Sequence, residues 1–436
     1  MTDRDILYYA LELALREGVS QAKVVWLQNH EQKISVRDGR IDQMAQSLAQ
    51  SLSFTLYVDG REGFFYTNNL STETLPAFVR QAVQTTRLLS PDESRHLPDP
   101  ARYYRGGGVD LQNCDDTLEA IDPFEKLQLA RLANQQLLGA DKRIVSLDTR
   151  YEDRLHRARF LTSNGLDVGE QSSRVTLSTI LTLADADGRH PMDGWGNTRI
   201  RFRELPWEDI GPVALQRTLQ KLGQRPAATG RYTMLVESPV AFSLLQPVIL
   251  AMAGQALYQR SSFMLDMLDK PFGSPLMNIE DNPHVPNTRG ACHFDYDGVA
   301  TQPRQLFLDG RLQTYFIDTR YGQKLGMAPT TQGLHHLIFR PGQQSLQQMM
   351  AGVESGILVT DFNGGNCDPV TGQFSYGIEG LLIEHGVVVQ AVSGMNITGQ
   401  MQQLWQSLSA VGSDADPWET ELVPTLRFED VAFSGV

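Results

Sequence analysis

Nine histidines, three cysteines and 51 acidic side chains are the chain's stock of metal ligands and proton carriers. Their spacing decides what chemistry they could support. The densest cluster is Cys292-His293 with His284 and Asp295 close by, and His335-His336 is a second. A zinc site needs three or four converging ligands. Adjacent side chains on a strand point to opposite faces, so neither pair readily grips one ion. Both clusters are read as ordinary loop or sheet residues. Asp185-Ala186-Asp187-Gly188 begins like a calcium loop but lacks the later oxygen ligands and the closing glutamate, which leaves a hairpin turn. The sequence contains no Gly-x-Ser-x-Gly elbow and no Gly-x-x-x-x-Gly-Lys-Ser/Thr loop. It also has no glycine-rich dinucleotide fingerprint after a strand. No catalytic or metal-ligating residue is assigned from these patterns. A dyad assembled only in three dimensions stays open.

The elements that would position such groups are readable from periodicity. Thr2 or Asp3 can cap a helix with Ile6, Leu7, Ala10, Leu11 and Ala14 on one side, ended by Gly18. Val24–Leu27 and Ile34–Val36 read as two short strands. Asp38-Gly39, Asp59-Gly60, Asn164-Gly165, Asp187-Gly188, Asp309-Gly310 and His385-Gly386 sit between alternating segments, as tight hairpins require. Helices are expected over residues 74–89, 123–138, 207–222 and 239–257. The fold class is therefore α+β, with largely antiparallel sheets and inserted helices. Arg199-Ile200-Arg201-Phe202-Arg203 alternates as a solvated strand face would.

A chain of 436 residues exceeds one ordinary core. The breaker-rich stretch 223–230 separates an N-terminal α+β domain (1–222) from a β-rich C-terminal domain (231–436), with an irregular connection at about 90–123. Helix, hairpins, helix occurs in residues 3–90 and again in 123–222, an order that suggests an internal duplication. The formal net charge of −13 opposes binding to nucleic acid or anionic membrane. The longest apolar stretch, 240–257, is interrupted by Ser243, Gln246, Pro247 and Gln255 and is no membrane span. Met1-Thr2-Asp3-Arg4-Asp5 leads straight into an amphipathic pattern, so export is not expected. Cys114, Cys292 and Cys367 lie far apart, which fits a reducing cytoplasm.

From residue 356 onward, an ordered series of motifs appears. It runs Val359-Thr360-Asp361-Phe362-Asn363-Gly364-Gly365-Asn366, then Phe374-Ser375-Tyr376-Gly377, Gly380-Leu381-Leu382-Ile383-Glu384 and Met395-Asn396-Ile397-Thr398-Gly399. Val411-Gly412-Ser413-Asp414 and Phe433-Ser434-Gly435 close it. This series resembles the C-terminal domain of the TldD/PmbA family, whose members were once labelled modulators of DNA gyrase, and more closely its PmbA (TldE) branch. Ser35–Ile41, Leu56–Phe64 and Asp318–Gly322 are similar to other family segments, so the resemblance spans nearly the whole chain. Ser413, Gln400 and Gln373 depart from the family's usual residues.

The resemblance implies a peptidase of two related subunits enclosing a chamber for unfolded peptides. Its catalytic subunit carries His-Glu-x-x-x-His on a helix, and a later cysteine completes a zinc site. No histidine lies between Tyr232 and Asn282 here, and no cysteine follows Cys367. The resemblance therefore implies a non-catalytic subunit, inactive alone. Zinc is expected in a TldD-like catalytic partner and not in this chain; a self-associating peptide-binding protein or a peptidase with an unrecognised site are the alternatives. Asn363, Gly364, Gly365, Asn366 and Asn396 are the peptide-facing candidates. Glycine admits a second backbone and asparagine offers both donor and acceptor. The competing reading, tight turns, is the favoured one at these positions.

Overall fold

The computed structural model describes residues 2–435. The N-terminal half runs α1 (Asp3–Arg16), β1 (Gln21–Arg37), β2 (Arg40–Val58), β3 (Arg61–Thr67) and α2 (Leu75–Thr86). It continues with α3 (Pro123–Gln135), β4 (Ile144–Thr162), β5 (Asp167–Leu183), β6 (Met192–Arg199) and α4 (Ile210–Gln220). All six strands form one antiparallel sheet in the order β3-β2-β1-β4-β5-β6. Each half of that sheet is thus helix, three strands, helix, and the halves meet at the antiparallel pair β1–β4. One end of the sheet is covered by α1 and α2 through Leu7, Leu11, Val79 and Val83, the other by α3 and α4 through Leu127, Ala130 and Ala214.

Residues 230–435 form two further sheets. β7 (Gly230–Val236) leads into α5 (Ser238–Ala251) and α6 (Gly254–Tyr258). Then come β8 (Ile279–Asp281), β9 (Arg304–Leu308), β10 (Arg311–Leu312), β11 (Leu337–Phe339), β12 (Ser355–Cys367), β13 (Gln373–Glu384) and β14 (Val387–Gln400). β15 (Leu408–Val411), β16 (Glu421–Leu422) and β17 (Leu426–Gly435) complete the chain. The smaller sheet is β10-β9-β8-β11-β16, and the larger is β14-β13-β12-β7-β17-β15. β17 also pairs with β14, from Met395↔Gly435 to Thr398↔Ala432, which closes five strands into a ring. Met234, Ile357, Ile378, Ile397 and Phe428 fill its core together with Leu244 and Val248 of α5.

The architecture is the expected α+β class, mostly antiparallel, with β7–β12 and β11–β16 the parallel pairs. At four of the six dipeptide turns (Asp38-Gly39, Asp59-Gly60, Asp309-Gly310, His385-Gly386) both residues have positive φ, as such hairpins demand. Three local expectations change. Val24–Leu27 and Ile34–Val36 belong to one strand, β1, because its polar middle is held between β2 and β4, with Asn29 bonded to Arg154 and His156. The 239–257 helix is two, broken where Ala253 turns extended (ψ 138°) and its neighbour Gly254 donates to the Phe316 carbonyl. The arginine run is no solvated strand. β6 ends at Arg199, whose side chain is buried 4.7 Å from the Trp418 ring, and Arg201 bonds Asn287 across the two halves.

Among the described residues, no helix is long and apolar enough to cross a membrane.

Candidate functional site

Helix α5 is the element on which the resemblance places chemistry. Pro239 sits in its first turn, where a missing N–H costs nothing. Ala241, Leu244, Leu245, Val248 and Ile249 face the core. The outward face is left to Phe242, Ser243, Gln246 and Leu250. Pro247 lies inside the helix and cannot donate to the Ser243 carbonyl. Phe242 and Ser243 open onto a cavity of about 520 Å³ whose other walls include Trp195 of β6, Leu346, and the carboxylates of Glu237, Asp414, Asp416, Glu419 and Glu421. Burial raises the Glu421 carboxyl above its ordinary value. The remaining acids have partners: Asp414 accepts from Thr425 Oγ1 (2.7 Å), and Glu419 pairs with Arg289.

A half-buried ion network ties this cavity's rim to the barrel. Arg217 of α4 bonds Glu237 at 2.9 Å, and Lys221 reaches Asp193 at 3.2 Å and Glu379 of β13 at 2.8 Å. Burial disfavours both cations, but Glu237 and Asp193 together outweigh it at Arg217, and Glu379 and Asp193 at Lys221, so both stay above their ordinary values. Sequence reading missed this network because its members come from β6, α4 and the residue after it, β13 and the residue before α5. No spacing signal links them.

The peptide-facing candidates lie on the strands of the barrel. Asn363, Gly364, Gly365 and Asn366 occupy the exposed end of β12, and Asn396 lies within β14. Cross-strand register puts Gly364 opposite Gly377, and Gly377 opposite Asn396. A methyl group at Gly377 would meet the Asn363 side-chain oxygen at 2.3 Å and that of Asn396 at 3.5 Å. The structure therefore brings the two amides together over a bare backbone. Asn366 stands apart, opposite Ser375. Gly364 (φ 142°) and Gly365 (φ 107°) flank strand irregularities, not a hairpin turn. Neither Asn363 nor Asn396 makes a side-chain hydrogen bond among the described residues, so both keep donor and acceptor free. Gly377 is the partner the sequence did not reveal.

The histidine clusters have structural partners. His284 Nε2 lies 3.1 Å from Thr301 Oγ1, and His293 stacks on Tyr104 at 5.0 Å. His335 Nδ1 lies 3.3 Å from Asp281, and buried His336 bonds the Thr420 carbonyl at 2.9 Å. Burial lowers the affinity of His284 and His336 for protons and pushes the Cys292 thiol up. Asp185-Ala186-Asp187-Gly188 forms the β5–β6 turn, with Asp187 accepting from the Arg189 backbone. Among the described residues, no three His, Cys, Asp or Glu side chains gather closely enough to hold a metal ion.

Comparison with known proteins agrees along the chain. Models of the PmbA/TldA metallopeptidase match as domain 1 over residues 22–85, as central domain over 116–222 and as C-terminal domain over 229–435. The first two fall on the two halves of the N-terminal sheet. Metalloprotease PmbA of Escherichia coli is 28% identical over 419 residues, covering 93% of this chain and 90% of that protein. A Bacteroides thetaiotaomicron protein, named for a suspected role as modulator of DNA gyrase, is 40% identical with a TM-score of 0.98 over the full length of both chains. TldE of Thermococcus kodakarensis shares the fold at 19% identity, with a TM-score of 0.88 over 99% of this chain and all of its own. Motif order, sheet architecture and these matches converge: the chain belongs to the PmbA/TldD metallopeptidase family.

Proposed function

We propose that this chain is the non-catalytic, TldE-like subunit of a heteromeric zinc peptidase, supplying chamber wall and peptide-binding surface to a TldD-like partner. One observation carries the reading. The outward face of α5 overlooks a cavity, yet one helical turn apart it presents Phe242 with Gln246, Ser243 with Pro247 and Gln246 with Leu250. Two ligands meet one metal when they stand a turn apart on one face, and none of these five side chains is a zinc ligand in such sites. The residues present do not fit the ion, and no step of hydrolysis is assigned to this chain. Its own contribution is to hold extended peptide, with the amides over Gly377 and exposed strand edges as the contact groups.

The test is hydrolysis of an unfolded peptide by this chain alone, by a His-Glu-x-x-x-His-bearing relative alone, and by their mixture. Stimulation in the mixture, abolished by chelator, supports the reading. Cleavage by this chain alone refutes it.

A second reading, a self-associating peptide-binding protein, is favoured by the outer half of β2. Among the described residues, 40–51 have β1 on one side and no strand on the other, and Ile41, Met44 and Leu48 are exposed there. An uncovered edge of this length with no charge from Gln43 to Ser51 suits a partner strand. A stable homodimer that holds peptide but never stimulates hydrolysis would favour this reading over the first.

A further inference from the structure

The helix-free face of the N-terminal sheet carries a basic pocket that the reading above leaves unused. Arg154 pairs with Arg174 and His156 with Ser172 across β4 and β5. Two-residue steps return to the same face, so all four share one side. Arg289 and Thr420 of the C-terminal half close over them, and Asn113 of the connecting segment walls the side, enclosing about 360 Å³.

The guanidinium groups keep donors in reserve. Arg154 commits Nε and Nη2 to Asn29 Oδ1 (3.0 and 2.7 Å), with Glu31 3.5 Å away. Arg289 gives Nε to the Trp418 carbonyl (3.1 Å) and Nη2 to Glu419. Neither Nη1 has a hydrogen-bond partner among the described residues, and exposed Arg174 has none on any nitrogen. In a protein of net charge −13, three arginines converging on one concavity make a local site for an anion. Their planar forks match a carboxylate.

An open strand edge adjoins this pocket at Ser172. β6 pairs with β5 only from Val175 onward, so among the described residues β5 from Asp167 to Ser172 has no strand on its outer side. Two further concavities, of about 480 and 240 Å³, share Gly169, Glu170 and Gln171 on that edge, and the second shares Asn113 with the basic pocket. An extended chain adding along such an edge gains main-chain hydrogen bonds.

We propose that the pocket formed by Arg154, Arg174 and Arg289 binds the C-terminal carboxylate of an extended peptide lying along the outer edge of β5. This rests on the peptide-holding part of the proposed function and deepens it: the pocket sets the direction and register in which peptide is held.

The test uses the full chain, without partner, and fluorescence anisotropy of one labelled unfolded peptide made with a free or an amidated C-terminus. Because charge-assisted bonds are the strong ones, amidation is expected to weaken binding about tenfold or more. Arg174→Gln, which removes an exposed side chain without partners, weakens the free acid to the level of the amide and leaves the amide unchanged. Equal binding of the two peptides, or equal weakening of both by Arg174→Gln, overturns the proposal. Displacement by millimolar inorganic phosphate without acid-over-amide preference also overturns it, identifying a phosphate site. Absence of binding by either peptide overturns this proposal together with the peptide-holding reading. Retained preference without stimulated hydrolysis upholds the pocket and removes only the heteromeric reading.

Discussion

Replacing Asp281 with alanine should cost the C-terminal half about 4–6 kcal/mol, as the contacts of this carboxylate indicate. The side chain is wholly buried. Oδ1 accepts from the backbone N–H of His335 (3.0 Å) and His336 (2.9 Å). Oδ2 accepts from Arg304 Nε (3.1 Å) and Nη2 (2.9 Å), with His335 Nδ1 at 3.3 Å. Burial pushes the carboxyl up, but the bond from His335 and the charge of Arg304 outweigh it, so its pKa lies below the ordinary value. Alanine would leave Arg304, 14% exposed, without its counter-charge and two N–H groups unpaired.

Breaking a buried ion pair costs about 3–5 kcal/mol, and an orphaned N–H adds about 1–3 with overlap between the two. Asp281→Asn keeps one acceptor and should cost about 1.5–3 kcal/mol. The double variant Asp281→Leu/Arg304→Met removes both charges and should recover much of the loss. Denaturant unfolding followed by tryptophan fluorescence measures all three. The reasoning fails if Asp281→Ala lies within about 1 kcal/mol of the parent, or if the double variant is no better than the single.

The pH sign follows from the depressed folded-state pKa. The stabilisation is fully present above the unfolded carboxylate's value of 3.8 and is lost as pH falls through the lower folded one. Asp281→Asn should therefore flatten the acid limb of the stability curve. Because His336 also holds the Thr420 carbonyl, the same variants should loosen the segment between the acidic cavity and the basic pocket.

Three further variants have expected outcomes. Lys221→Ala severs β6 from β13 at a side chain only 10% exposed, so it should cost about 1–3 kcal/mol. It should also speed proteolysis within residues 223–229, and an unchanged cleavage rate would contradict a clamp between the halves. Gly377→Ala puts a methyl where the exposed Asn363 amide stands and pushes that amide aside, so it should change stability by less than about 1 kcal/mol while weakening peptide binding. Asn363→Ala, at an exposed position, should change stability by less than about 0.5 kcal/mol yet weaken binding; the opposite pattern would make the asparagine structural.

Local chemistry made much of this protein legible from its sequence. The Asp-Gly and His-Gly dipeptides marked hairpins because few residues adopt two successive positive φ angles, and periodicity of apolar residues marked α1, α2, α3 and α4. Motif order identified the family, and the absence of histidine along α5 was readable without any coordinates. The polar centre of β1 hid a single strand, because its side chains are satisfied by β4 residues more than a hundred positions away. The Arg217–Glu237 and Lys221–Glu379 pairs, the convergence of Asn363 and Asn396 over Gly377, and the meeting of Arg154, Arg174 and Arg289 arise only when distant strands and the two halves come together. Backbone preference and hydrophobic period act over a few residues and are written locally. Electrostatic partnership acts through space, and folding alone decides which charges become neighbours.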